Sequence, residues 1–573
     1  MIFSSYQFIL LFIPLTIAGF LLATRMKDRR LTKGWLILTS VAFCACAGVK
    51  SLAVIVASAA GNYLCARAML NGNSRGRRRK VVAFGVGICV NVLFLIYFKH
   101  EASVLNLSNT VLGTRFDLAK IEFPLGVSFL TFQMIGFLAD IYRRHLKEIH
   151  CLDYLLFAFF FPRVVAGPIV RYSELVPQFA KFTSRTLVDN APLAVCLFSI
   201  GLFKKAFIAD GLVPFVSQAF ELMPTDGGPS FIFAWFGVFA FSLQLYFDFS
   251  GYTDMAIGVS RLFGVVLPTN FNSPFKATSI VELWNRWHIT LTLFLTEYVY
   301  APLMIYLTQS RLSKVLLARA PRRFGYLIKA VLNSPAILIT TEVSGLWHGS
   351  NWQFVLWGAL HGIYLTVNQI WRAARPLLWT DRKSYERIMN PVGFVLTLIC
   401  STAALVFFRA DSVGSALSIL RGMAGLNGFF PTDWTLLNRI GIDTWAILSA
   451  FIHNFQLTKE YAWIVVLLLV VTLAPNTIEI LSRFQPALNF DARTAAPSRD
   501  QVAVIVSEMQ PIQREVTHIS AVVSLVWTAM GTIQRFARDC ISLNRFTAML
   551  VALLCALGVL ALNDGVKFIY ARF

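Results

Sequence analysis

The sequence predicts an all-α, polytopic membrane protein, and three observations predict it. Of 573 residues, 57% are hydrophobic and only 14% are charged, where a soluble domain carries about 25% charge. The apolar residues fall into runs of the length that crosses a bilayer as a helix, about 20 residues. The bases, 51 Lys and Arg against 30 Asp and Glu, sit mostly in short clusters between those runs, which is the distribution that positive-inside topology demands. The formal net charge of +21 therefore reports orientation. It does not point to nucleic acid, because no basic patch on a soluble domain is interleaved with stacking aromatics. The nine cysteines are scattered, most of them inside apolar runs and without a CxxC pair, so they read as small buried hydrophobes and no metal site is expected.

Phe8 to Ala23 is the first apolar span, followed by Arg25, Lys27, Arg29, Arg30 and Lys33. A cleaved signal peptide carries its charge before the apolar stretch, so this is a retained helix with its N-terminus outside. Trp35 to Ala68 is long enough for two short passes and ends at the next basic block, Arg75 to Lys80, so both blocks can face the cytoplasm. Val81 to Phe98 is a further span. In Pro124 to Gln133, PLGVSFLTFQ, polar residues, Pro and Gly interrupt an apolar stretch, which fits either a kinked span or backbone lining a cavity. Phe160 to Phe179, FFPRVVAGPIVRYSELVPQF, repeats the pattern and carries Arg163 and Arg171. It reads as a re-entrant or interfacial element, and an arginine there could contact an anionic donor group such as a phosphopantetheine phosphate or serve as a snorkelling anchor.

After spans near Leu193 to Phe207 and Phe231 to Leu245 comes the densest polar sequence of the apolar half, Tyr246 to Gly264, with Asp248 and Asp254. Carboxylates at membrane depth are expensive, so pairing or an aqueous cavity is expected. Asn270 to Leu303 follows. Read as a helix, it puts Asn285 and His288 on one face, with Trp284 one turn before His288. Lys314 to Lys329 suits a cytoplasmic loop. Passes around Ala336 to Leu346 and Phe354 to Ile370 flank the stretch SGLWHGSNWQFVLWGALH, Ser344 to His361. Further spans lie near Val392 to Phe407 and Trp463 to Ala474. Arg483 to Arg514 reads as a polar linker, Val516 to Cys540 as an amphipathic surface segment, and Phe546 to Leu562 as the last span before the tail FIYARF. This divides the chain into a membrane domain over 1–480, a cytoplasmic linker and amphipathic segment over 481–545, and a C-terminal helix with its tail over 546–573.

The chemistry is expected at His348, held between Trp347 and Gly349 in sequence apolar enough for lipid. An ionisable residue there is either a functional group or a histidine satisfied by a backbone carbonyl. His288 is a second such histidine in a Trp-rich polar island, whereas His361 reads as structural or supporting. A neutral imidazole can take the proton of a hydroxyl as it attacks a carbonyl, while a second polar group orients it or stabilises the oxyanion, and that is what acyl transfer from a thioester to an alcohol needs. The lone GxSxG match, GNSRG at Gly72 to Gly76, runs into the basic block Arg75 to Lys80 rather than forming a strand-to-helix elbow, and there is no HExxH or GxxxxGK[ST] motif, which argues against a serine acyl-enzyme, a metalloprotease and a nucleotide-driven machine. A lipid-linked sugar transporter using the intramembrane charges is the competing class, and the lack of an internal repeat removes one signature of it.

The ordered set PLGVSFLTFQ, FFPRVVAGPIVRY, YFDFSGYTDMAIGVSRLFG, NRWHITL and GLWHGSNWQFVLWGALHG resembles the membrane-bound O-acyltransferase family, in its bacterial branch of alginate O-acetylation and teichoic acid D-alanyl transfer proteins. The resemblance covers nearly the whole chain. It implies a ring of transmembrane and re-entrant helices around a central tunnel, with His348 as catalytic histidine and His288 at the second active-site position. Asn285, Trp347, Gly349, Asp248 and Arg163 then support the site or line the tunnel. Phe568, Tyr570 and Phe573 match a tail F-x-Y-x-x-F whose tyrosine carries the acyl group outward, although Tyr570 also fits an interfacial anchor. No permanently bound cofactor is implied, only a cytoplasmic thioester donor, acetyl-CoA or an acyl carrier protein. The other implied partners are membrane lipid and a periplasmic esterase-like acyltransferase. The implied location is the bacterial inner membrane with both termini periplasmic, and the implied product an O-acetylated envelope or exopolysaccharide such as alginate, with D-alanyl or peptidoglycan acylation as alternatives.

Overall fold

The computed structural model describes residues 2–71, 77–112, 126–222, 228–429, 455–488, 490–491, 496–497 and 545–562. Among them, seven helical stretches are long and apolar enough to cross a membrane: Phe8–Arg25, Val49–Leu70, Arg77–His100, Ser184–Glu221, Phe231–Leu262, Ile289–Thr308 and Arg382–Arg409. The protein is thus a multi-pass helical membrane protein. Its described β structure is a two-residue ladder, Phe490–Asp491 with Ala496–Pro497, and an isolated bridge between Pro268 and Leu488.

A π-helical turn, Phe8–Phe12, leads into α1 (Ile13–Arg25). α2 (Arg29–Ala45), capped by the Asp28 side chain, packs back on it, with Trp35 Nε1 donating to the Thr16 carbonyl at 2.9 Å. α3 (Val49–Leu70) and α4 (Arg77–Leu112) are pinned by a buried amide pair: Asn91 Nδ2 donates to Asn62 Oδ1 at 2.7 Å, and Asn62 Nδ2 returns the bond at 3.2 Å. Hydrophobic driving force between helices vanishes in lipid, so such polar contacts and close packing take its place. Of the four expected passes in this region, those at Phe8 to Ala23, the second half of Trp35 to Ala68 and Val81 to Phe98 fall on α1, α3 and α4, which are among the spans long and apolar enough to cross, whereas the first half of Trp35 to Ala68 falls on α2, which is not.

α5 (Val127–Tyr142) begins in PLGVSFLTFQ, and every residue from Val127 to Met134 is buried. Pro162, Gly167 and Pro168 break the next stretch into α6 (Cys151–Phe159), the single turns α7 (Phe161–Val164) and α8 (Tyr172–Leu175), and a 3₁₀ turn. Buried irregular backbone of this kind is tolerated only inside protein.

α9 (Ser184–Leu202) continues through a π-helical turn, Phe203–Ala209, towards α10 (Val213–Ser217), and packs along α11 (Phe231–Leu262). The two helices approach so closely that a Cβ on Gly201 would lie 2.5 Å from the Gly251 carbonyl oxygen, and one on Gly251 would lie 2.6 Å from that of Gly201. Only glycine fits at this crossing. One turn on, Lys205 meets Asp248 at 2.8 Å and Asp210 at 2.5 Å, while Lys204 meets Asp254 at 2.7 Å. The polar run Tyr246 to Gly264 is therefore the second half of one 32-residue helix, and its carboxylates are met by ion pairing.

α12 (Ile280–Arg286), α13 (Ile289–Leu295), a π turn and α14 (Ala301–Thr308) follow. The expected loop at Lys314 to Lys329 is largely helical: α15 (Arg311–Arg319), capped by Ser310, fills its first part, and α16 (Gly325–His348) starts inside it. α16 pairs closely with α17 (Trp352–Leu378), where a Cβ on Gly358 would come within 2.8 Å of the Thr341 carbonyl. α18 (Arg382–Arg409), α19 (Val413–Met423) and the helices Phe455–Leu473 and Arg545–Leu560 complete the described fold. The amphipathic segment expected at Val516 to Cys540 and the tail residues Phe568, Tyr570 and Phe573 lie outside the described residues, as does most of 481–545.

Candidate active site

Three buried histidines share one aromatic cluster. His348 is the last residue of α16, which stops where Gly349 turns into extended backbone, and a Cβ on Gly349 would strike the Phe354 ring. The His348 ring lies 4.7 Å from that of Trp347, 5.3 Å from Trp357 and 4.9 Å from Phe408. Trp347 is itself anchored, its Nε1 donating to the Ser128 carbonyl of α5 at 3.3 Å and its ring stacked on Phe132. Lys99, from α4, donates to the Trp347 carbonyl and lies 5.4 Å from the Trp347 ring. The last carbonyls of a helix lack intrahelical partners and attract cations, so Lys99 closes α16 at the residue beside His348.

His288 reaches the cluster by a different route. Its expected helix ends at Arg286, and His288 itself takes a left-handed backbone, φ 43° and ψ 52°, before α13 begins. For a non-glycine residue that conformation costs roughly 1–3 kcal/mol and persists only where surrounding contacts impose it. They do: Ile289 N–H donates to the Asn270 carbonyl at 2.9 Å, and Thr290 Oγ1 donates to Asn270 Oδ1 at 2.6 Å. The His288 ring faces Phe249 at 4.7 Å and Trp347 at 6.2 Å, which places Trp347 against both histidines.

His361 joins through Trp357, whose ring is 4.8 Å from it and 5.3 Å from His348. Its Nδ1 accepts the Trp284 Nε1 hydrogen at 3.3 Å. Alongside lies a cavity of about 50 Å³ lined by Trp284, Trp287, Trp357, His361, Phe275 and Leu405, among others. The arrangement offers buried imidazoles able to exchange a proton, next to a small apolar chamber, which suits reaction of a hydroxyl with a short acyl group.

The remaining expected site residues are dispersed. Asn285 does not share a face with His288: the helix breaks between them, and Asn285 is exposed while His288 is buried. Asp248 is taken up by Lys205, and its neighbour Phe249 is the residue that faces His288. Arg163 is fully buried, its guanidinium 4.4 Å from the Phe157 ring, with no hydrogen-bond partner among the described residues. Tyr570 lies outside the described residues. Sequence reasoning passed over Lys99 and Asn270. The one available signal for Lys99 was a lone cation directly after an apolar run.

The sequence profile of the membrane-bound O-acyltransferase family matches residues 113–318. A peptidoglycan O-acetyltransferase of Helicobacter pylori is 35% identical over 455 residues, covering 75% of this chain and 80% of the relative. The chain belongs to the membrane-bound O-acyltransferase family. A probable alginate O-acetylase AlgI of Pseudomonas aeruginosa is 31% identical over 460 residues, 79% of this chain and 80% of the relative. A teichoic acid D-alanyltransferase of Streptococcus thermophilus is 29% identical over 261 residues, 45% of this chain and 60% of the relative. As a family member the protein is an acyltransferase that works in a lipid environment on an acyl donor, which displaces the transporter reading. The profile match includes His288 and ends before His348 and His361.

Proposed function

We propose that this acyltransferase moves an acetyl group from a cytoplasmic thioester, acetyl-CoA or an acyl carrier protein, across the bacterial inner membrane for O-acetylation of a cell-envelope polysaccharide. The observation that carries the reading is the burial of His348 and His288 together against Trp347. His348 acts as general base on the attacking hydroxyl and returns the proton to the leaving thiolate, and His288 orients the reacting groups. Trp347 and Gly349 hold His348 in place, and the buried Arg163 guanidinium is a candidate contact for the donor's phosphate.

Tyr570 is the first acceptor, and a periplasmic esterase-like partner completes transfer to sugar hydroxyls. A phenol needs a base to attack, since its unperturbed pKa is about 10, and His348 supplies one. Both termini are periplasmic. The names of the relatives support glycan O-acetylation, with peptidoglycan and alginate as the two polymers to test first and D-alanylation of teichoic acid as the second reading.

The test is mass spectrometry of the purified full chain for an acetyl adduct on Tyr570, with acetate release from isolated envelope polymers measured in parallel. The adduct and the polymer esters are expected to vanish in His348→Ala at normal protein level. Undiminished polymer acetylation in that variant would overturn the mechanism.

A further inference from the structure

The small cavity lined by His361 is almost wholly apolar, yet one of the side chains lining it, Trp357, carries a polar group with no partner among the described residues. Trp357 is only 4% exposed, and among the described residues its Nε1–H has no acceptor. A buried indole N–H normally finds a partner, and leaving such a donor unmet costs about 1–3 kcal/mol. The ring is not there merely to fill space next to one neighbour: it contacts both His348 and His361 and also packs edge-on against Trp284 and Phe408. Trp284 makes the contrast plain. It lines the same cavity, and its own Nε1–H is already committed to His361 Nδ1.

That commitment says something about His361 as well. A neutral imidazole that accepts at Nδ1 carries its proton on Nε2. His361, which also lines the cavity, therefore carries a second N–H donor.

We infer that Trp357 Nε1–H, backed by His361 Nε2–H, binds the carbonyl oxygen of a short acyl thioester in this cavity and stabilises the oxyanion formed when the hydroxyl attacks. The inference rests on the acyl-transfer reading above. In the addition step the acceptor oxygen bonds to the carbonyl carbon, its proton passes to His348, and the C=O pair moves onto the oxygen held by Trp357. In the collapse step the C=O bond re-forms, the C–S bond breaks, and the thiolate takes the proton from His348 to leave as a thiol. No oxidant, metal or further reactant enters. An N–H that is unpaired at rest favours the transition state over the ground state, because its full hydrogen bond forms only when charge develops on the oxygen.

Two replacements of Trp357 separate donation from packing. Trp357→Phe removes the N–H and part of the ring. Benzothienylalanine, introduced at position 357 of the full chain in cells, keeps the bicyclic shape and replaces only the N–H with sulfur. The readout is the initial rate at which labelled acetate enters alkali-labile esters of the cell envelope, normalised to protein level, with Trp284→Phe and His348→Ala alongside. Loss of one oxyanion donor typically slows such reactions by about 10²–10³-fold, and a fall of that order is expected for the benzothienylalanine protein. Activity of that protein within twofold of wild type would overturn the inference, even if Trp357→Phe were inactive or failed to accumulate, since packing would then explain the tryptophan. If His348→Ala keeps full activity, the acyl-transfer mechanism itself fails. A dead His348→Ala beside a normal benzothienylalanine protein removes this inference alone.

Discussion

At the residue scale, the backbone at His288 shows how much this fold accepts in order to place one ring. Left-handed φ is open to asparagine and strongly disfavoured for a β-branched side chain. His288→Asn should therefore unfold close to the wild-type temperature in detergent, while His288→Val should be less stable than His288→Asn by roughly 1–2 kcal/mol. Equal stability of the two would mean that the Asn270 contacts do not impose the conformation. Lys99 makes a second residue-scale case. Its hydrogen bond to the Trp347 carbonyl fixes the end of the helix that carries His348, and a bond of this kind contributes about 0.5–1.5 kcal/mol. Lys99→Met is expected to lower the acetylation rate by up to about tenfold, measured by labelled-acetate incorporation at matched protein level.

At the element scale, the crossing of α9 and α11 depends on two glycines and on nothing that could give way. Carbonyl oxygens stand where a Cβ of residue 201 or 251 would go. Gly201→Val should destabilise by about 1–3 kcal/mol or more through overpacking, seen as a lower unfolding temperature in detergent. Gly61→Ala on α3 is the matched control, because nothing lies within 4 Å of its added methyl. There the helix should gain roughly 0.5–1 kcal/mol. The same spacing logic explains α16 and α17, whose close pairing carries His348 and His361 into one cluster.

At the scale of the whole molecule, the ion pairs of Lys204 and Lys205 hold segments together. Lys205 lies between Asp210 and Asp248, and Lys204 bonds both Asp254 and Thr477, so the π turn after α9, helix α11 and the segment after Leu473 are tied at one depth. Removing one partner of a buried pair costs about 3–5 kcal/mol because the other charge is stranded. Lys205→Met should lose protein from the membrane fraction, and Lys205→Met with Asp210→Asn and Asp248→Asn should restore most of it. A triple variant no better than Lys205→Met would show that these charges do more than answer one another.

The passes, the basic clusters and the broken stretch after α6 were legible in the sequence, because hydropathy, charge and the geometry of proline act locally and leave their mark wherever the residues stand. His348 and His288 were legible too, since an ionisable ring in apolar sequence is conspicuous without a structure. The partners were not. Lys99 and Trp347 are 248 residues apart, Lys205 meets Asp248 across two helices, and Asn285 is exposed while His288 is buried because the helix ends at Arg286 and the backbone turns left-handed at His288. Nor could sequence alone tell Trp357 from Trp284, two tryptophans in similar apolar surroundings. Packing gave one an acceptor and left the other without one, because hydrogen-bond satisfaction in a buried cluster depends on which side chains arrive from distant helices and at what angle.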